Sequence, residues 1–163
     1  MQATKDSFYV ALRDRLVQCD PNLTITIDGA TRPAIVVLEN EPPSSAPQQD
    51  EAFYLHWGEA RLVHPGNSTL MSLECTISYS SAGQRDTGGV ARGRSLAALD
   101  ADLLTVCAPS CTEKYDYSSG SPVDLNSSIF WTLPQLKTAK LDATEVGRQA
   151  QVTVFFYPEV NQP

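Results

Sequence analysis

At 163 residues the chain fits one domain of ordinary size, long enough to bury roughly 70% of its unfolded surface without disulfide staples. Apolar residues make up 42%, which supports a packed core. A formal charge of −7 and an isoelectric point near 4.7 argue against general nucleic-acid binding and against an anionic membrane surface.

The N-terminal stretch MQATKDSFYV has no apolar segment of the kind a secretion signal needs. No apolar run approaches the ~20 residues of a membrane helix. The expectation is a soluble, cytoplasmic protein, and four scattered cysteines (Cys19, Cys75, Cys107, Cys111) fit it. The first element is a helix over 5–19. There Phe8, Ala11, Leu12, Leu16 and Cys19 recur at helical steps, Thr4, Asp6 and Ser7 offer caps, and Pro21 marks the stop. LTITIDG then alternates and ends on the turn signal Asp28-Gly29. PAIVVLE, residues 33–39, is a β-branched run that predicts a central strand buried on both faces. NEPPSSAPQQDE follows, with three prolines, as a surface loop.

AFYLHWGEARLV predicts two short strands, or one strand bent at Gly58. In STLMSLECTISYSS, Leu73, Cys75, Ile77 and Tyr79 alternate with Ser72, Glu74, Thr76 and Ser78, which predicts a long strand with one buried face. SSAGQRDTGGVARGRS, residues 80–95, concentrates Arg85, Arg92 and Arg94 among four glycines and predicts a loop whose residues 81–94 stay poorly ordered in an isolated subunit. Ser95 then reads as the cap of a second helix, with Leu96, Leu99, Leu103 and Val106 on one face and Pro109 beyond its end. Residues 112–128 read as polar loop, IFWTLPQLKTAKL as strand broken at Pro134, and QAQVTVFFY as a final strand closed by Pro158. The sum is a single α+β domain over 1–163: one mostly antiparallel β-sheet with two helices packed on one face.

No catalytic motif stands out. Cys107-Ala-Pro-Ser-Cys111 lacks the two-residue gap of redox and zinc pairs, and no second pair completes a site, so both cysteines read as structural. His56 and His64 on one straight strand would lie roughly 26 Å apart, too far to share a metal unless Gly58 folds the chain back. Asp100 and Asp102 point to different sides of a helix. SSGSP, residues 118–122, is no nucleophile elbow, and GGVARGRS lacks the Gly-Lys-Ser/Thr ending of a phosphate loop. The residues therefore predict no metal, no cofactor and no catalytic set. A pocket between sheet and helices near Trp57, His56 and Trp131 is the alternative, and it would make the chain a small-molecule-binding or enzymatic domain.

Charge is unevenly placed. Residues 33–60 hold Glu39, Glu41, Asp50, Glu51 and Glu59 with no Lys or Arg, while one loop carries three of the twelve basic residues. In a ring, one patch of each subunit meets a different patch of the next. Arg85, Arg92 and Arg94 would then face Glu39, Glu41, Asp50 and Glu51 of a neighbour, or DNA passing through the lumen.

The order of elements resembles the tail terminator (tail-completion) family of long-tailed bacteriophages and their prophage-derived relatives. The resemblance rests on a short first helix, the strand Pro33–Glu39 and an acidic loop. A long alternating strand over 70–80, a helix over 96–107 and the closing Phe155-Phe156-Tyr157-Pro158-Glu159 complete it. Segments 51–64 and 112–140 stand outside the pattern as insertions. The resemblance implies a non-enzymatic structural subunit forming a hexameric ring that terminates the tail tube. It implies tube and head-completion proteins as partners, and a protein that stays cytoplasmic until it joins a virion or tail-like particle.

Overall fold

A computed structural model of the protein describes residues 1–41, 48–63, 69–82, 90–142 and 144–158. Helix α1 (Gln2–Cys19) is followed by β1 (Thr24–Ile27), β2 (Ala30–Pro33) and β3 (Ile35–Val37). After these come β4 (Phe53–Leu62), β5 (Met71–Ser81), α2 (Ala91–Val106), β6 (Cys111–Asp116), β7 (Val123–Trp131), β8 (Gln135–Leu136), β9 (Lys140–Leu141) and β10 (Val146–Phe156). The class is α+β. The sheet is mixed rather than uniformly antiparallel: eight strands run in the order β3-β4-β5-β10-β7-β6, with β8 and β9 also paired to β10, and β3 lies parallel to β4. A separate hairpin, β1-β2, turns at Asp28 and Gly29, both at positive φ (50° and 80°), the geometry that Asp-Gly hairpin turns adopt.

The centre of the sheet is an unbroken antiparallel ladder of β5 on β10, from Met71↔Phe156 to Ser81↔Val146. Leu73, Cys75, Ile77 and Tyr79 are buried, and their β10 partners on the same face, Val154, Val152 and Ala150, are buried with them. Both helices lay their apolar stripes into this cluster: Phe8, Leu12 and Leu16 from α1, and Leu96, Leu99, Leu103 and Val106 from α2. Phe8 sits edge-on between two indoles, 5.7 Å from Trp57 and 5.2 Å from Trp131. Two polar contacts fix the helices. Arg15 Nη1 donates to the carbonyls of Val106 (3.1 Å) and Ala108 (2.8 Å), closing the C-terminus of α2. Ser7 Oγ accepts from Tyr115 N (2.9 Å) on the edge strand β6.

Several sequence expectations change. β3 is an edge strand, not a central one. It is buried on both faces because Ile35 and Val37 join the main core while Val36 packs under the hairpin with Ile25, Ala34, Ala52 and Tyr54. Of residues 112–128 only 117–122 are loop: β6 and β7 take up the rest and pair with each other. Thr112 and Lys114 lie on the inner side of β6, and a buried lysine conceals the alternation. Lys114 Nζ donates to the carbonyl of Tyr157 (2.5 Å) and lies 5.9 Å from the ring of Phe156. Helix α1 starts at Gln2 without a side-chain cap, and α2 starts at Ala91, so Arg92, Arg94 and Ser95 are helical. Ser95 bonds back to the Ala91 carbonyl (3.2 Å) instead of capping. The expected disorder of 81–94 is therefore wrong for 91–94, whereas Arg85 falls in 83–89, outside the described residues. β4 is one strand with a bulge between Trp57 and Ala60. A Cβ on Gly58 would stand 3.3 Å from Glu74 Cβ, a tight contact that glycine avoids at the bulge.

Helix α2 is tied to the sheet by a half-buried charged group. Tyr79 Oη donates to Asp100 Oδ1 (2.6 Å), and Arg148 Nε stands 3.0 Å from the same oxygen as an ion pair without good hydrogen-bond alignment. Burial first, and the Asp100 carboxylate second, push the Tyr79 phenol far above its ordinary range.

Three measurements check this packing. Ile77→Ala removes a fully buried side chain from the ladder and should cost about 2–5 kcal/mol in denaturant unfolding. Asp100→Ala strips two partners at once and should cost about 2–3 kcal/mol, against about 1 kcal/mol for Tyr79→Phe; equal costs would remove the ion pair from the account. In the native protein a thiol reagent should modify Cys19 and Cys111, which are exposed. Cys75 and Cys107 should react only on unfolding: both are buried, and burial pushes the Cys107 thiol up to about 12. Rapid modification of all four would contradict the core described here.

Candidate functional site

Period-two alternation decides what the sheet presents on its second face. Cross-strand partners share a side, so the residues opposite the helices line up in rows. Tyr54, Ser78 and Gln149 form one, His56, Thr76 and Gln151 the next, then Glu74 and Thr153, and finally Arg61, Ser72, Phe155, Phe130 and Cys111. The β1-β2 hairpin covers the first row at Tyr54, whose hydroxyl accepts from Gln49 N (2.7 Å). Beyond it no described residue covers the face, and His56 is exposed on it. In the last row Phe130 and Phe155 stack with centroids 5.0 Å apart and planes 14° from parallel, and Phe130 is 39% exposed. Glu59 and Arg61 pair at 2.8 Å at one margin, and Glu113 accepts from the Tyr115 hydroxyl at the other.

The proposed acidic partners of a neighbour's arginines are mostly engaged within the chain. Glu39 pairs with Lys5 at 2.6 Å, Glu41 with Arg32, and Asp50 accepts from Ser80 Oγ at 2.8 Å. Glu51 is exposed at the turn into β4, at positive φ (59°). The arginines gather elsewhere. Arg92 Nη2 donates to the Asp142 carbonyl (3.3 Å), which joins the start of α2 to the turn between β9 and β10. Arg94, Lys137 and Lys140 are exposed near the same end of the sheet, the arginine on the helix side and Lys140, in register with Gly147, on the other. No sequence pattern showed this, because the lysines lie some forty-five residues from the arginines in the chain.

The residues suggested for a small-molecule pocket do not converge. Trp57 and Trp131 are 4% and 3% exposed and are filled in by Phe8, while His56 points from the opposite face of β4. His64 lies outside the described residues. A polar cleft of about 380 Å³ does exist, at the other end of the sheet, lined by Gln48, Tyr54, Ser78, Ser80, Lys140, Glu145 and Gln149 among others. Cys107 is a core residue whose carbonyl accepts from Trp131 Nε1 (3.2 Å), and Cys111 stands exposed on β6. Asp100 faces Tyr79 and Arg148, while burial first, and the Asp20 carboxylate second, raise the Asp102 carboxyl above its ordinary range. Among the described residues no group of three or more His, Cys, Asp or Glu is placed to hold a metal ion. None of the described helices is long and apolar enough to cross a membrane.

The described residues present a sheet face with an aromatic stack and acidic margins, a polar cleft, and arginines and lysines at the cleft end of the sheet. No protein-family model matches the chain, and no curated protein matches it.

Proposed function

We propose that the protein is a structural subunit of a phage-type tail, non-enzymatic, whose ring terminates the tail tube and joins it to the head or cap. Support comes from the element order set out above and, above all, from the open sheet face. A sheet whose one side is buried by two helices and whose other side carries a bare phenylalanine stack has a surface suited to a protein partner. Its partners in this reading are other copies of itself, the tube and the head-completion proteins, with DNA passing transiently through the lumen. Arg92 and Arg94, with Arg85, serve either the subunit contact or the lumen.

The second reading, a small-molecule-binding domain, is favoured by the polar cleft of about 380 Å³, a volume within the range of ligand sites. Its lining of glutamines, serines, Lys140 and Glu145 would suit a polar, uncharged or zwitterionic ligand.

Native mass spectrometry separates the two. The tail reading expects a closed multiple of the 17.7 kDa protomer, ring-shaped in electron micrographs. A protein that stays monomeric at every concentration, and whose melting temperature rises with small polar ligands, would favour the cleft and sink the ring.

A further inference from the structure

The polar cleft lies where the sheet carries the least side chain. Strand register puts Ser80, Gly147 and Lys140 in one row across β5, β10 and β9, on the side away from the helices, and Ser78 and Gln149 in the next row. Gly147 adds no side chain to its row, and a Cβ there would stand 3.3 Å from the Tyr79 carbonyl oxygen and 3.5 Å from Ser80 Cβ. A glycine and two serines thus leave a depression, and the longer side chains of Gln48, Lys140, Glu145 and Gln149 complete the lining of its roughly 380 Å³.

Two of the lining residues carry opposite charges that are not spent on each other. Lys140 is exposed and Glu145 half-buried, and neither takes part in an ion pair among the described residues. They are nonetheless close. Lys140 lies opposite Gly147, and Asp142 N donates to the Glu145 carbonyl (2.9 Å), which continues the same pairing. Lys140 and Glu145 are therefore diagonal neighbours, roughly 7–8 Å apart at Cα. A ligand with one kind of charge would be drawn to one of them and repelled by the other. An α-amino acid carries an ammonium and a carboxylate on a single carbon and satisfies both with charge-assisted hydrogen bonds. Asp142, which also lines the cleft, favours the ammonium end.

We propose that the cleft binds a free α-amino acid as its zwitterion. The carboxylate meets Lys140, the ammonium meets Glu145, and a polar side chain lies over Gly147 toward Ser78 and Gln149. The inference rests on the small-molecule reading of the cleft and names its class of ligand. It makes no demand on the Phe130–Phe155 stack, since Phe155 lies eight residues along β10 from Gly147, or roughly 26 Å by strand rise.

Amide NMR titration of the full chain tests it with four probes: L-threonine, L-threonine methyl ester, N-acetyl-L-threonine and glucose. Threonine should shift the amides of Gly147 and Gln149 and bind about tenfold or more tighter than either derivative, because each derivative has lost one charge. Lys140→Met should weaken threonine about tenfold and leave the methyl ester as it was. Glu145→Gln should weaken threonine similarly and leave the N-acetyl derivative as it was. General polarity of the cleft would not match each residue to one end of the ligand. Spectra of the free variants that keep the parent's amide dispersion separate a lost contact from a lost fold. If threonine and its derivatives bind alike, or if the two variants bind threonine like the parent, recognition of a zwitterion is wrong. If glucose shifts the cleft amides and threonine does not, the amino-acid inference fails and the small-molecule reading survives. If none of the four probes shifts them, both fail.

Discussion

The eleven-residue ladder between β5 and β10 is the constraint on which the rest depends. It joins segments about eighty residues apart in sequence, so its register cannot be set by a turn. It is set by alternation. A slip of one residue would move Leu73, Cys75, Ile77, Val152 and Val154 to the open side and carry Glu74 and Thr153 into the core. Once that register holds, β4 adds on one side through Leu55↔Ile77 and Trp57↔Cys75, and β9, β8 and β7 share the other edge of β10 in succession.

Helix α1 then acts as the wedge that makes one core of two sheet halves. Phe8 reaches Trp57 on β4 and Trp131 on β7, strands separated by β5 and β10. Ser7 satisfies the outer backbone of β6, and Arg15 closes α2 while stacking 5.1 Å from the Trp131 ring. A helix with these attachments covers one side of the sheet and also blunts its β6 edge, which would otherwise offer unpaired backbone groups to another strand. Among the described residues the second face has no such cover beyond the β1-β2 hairpin. This asymmetry gives the molecule a built side and an open side, and the proposed assembly uses the open one.

Charge follows the same division. The acids nearest the built side are spent on local tasks: Glu39 and Glu41 hold Lys5 and Arg32, and Asp100 anchors α2 through Tyr79 and Arg148. What is left over is separated in space, with Arg94, Lys137 and Lys140 at one end and Glu74 and Glu113 at the other. Exposed opposite charges that far apart do little for a lone subunit, since salt screens them beyond about 8–10 Å. They matter only where another surface comes close.

The local elements were legible in sequence wherever one period ran without interruption. Helix α1, the stripe of α2, the Asp28-Gly29 turn, β5 and β10 follow from apolar spacing alone, because each buries one face and the other is free to be polar. The β6-β7 pair was hidden, since Lys114 occupies an inward position and polar residues fill the outward ones. The start of α2 was hidden because Gly93 between Arg92 and Arg94 looks like loop, while helix packing overrides that propensity. The candidate surfaces were the least legible of all. The order of residues sets which side chains are available, an excess of acid and a cluster of arginines. Which of them are spent inside the chain and which remain is settled only by folding, because pairing depends on distances across strands and helices that lie far apart along the sequence.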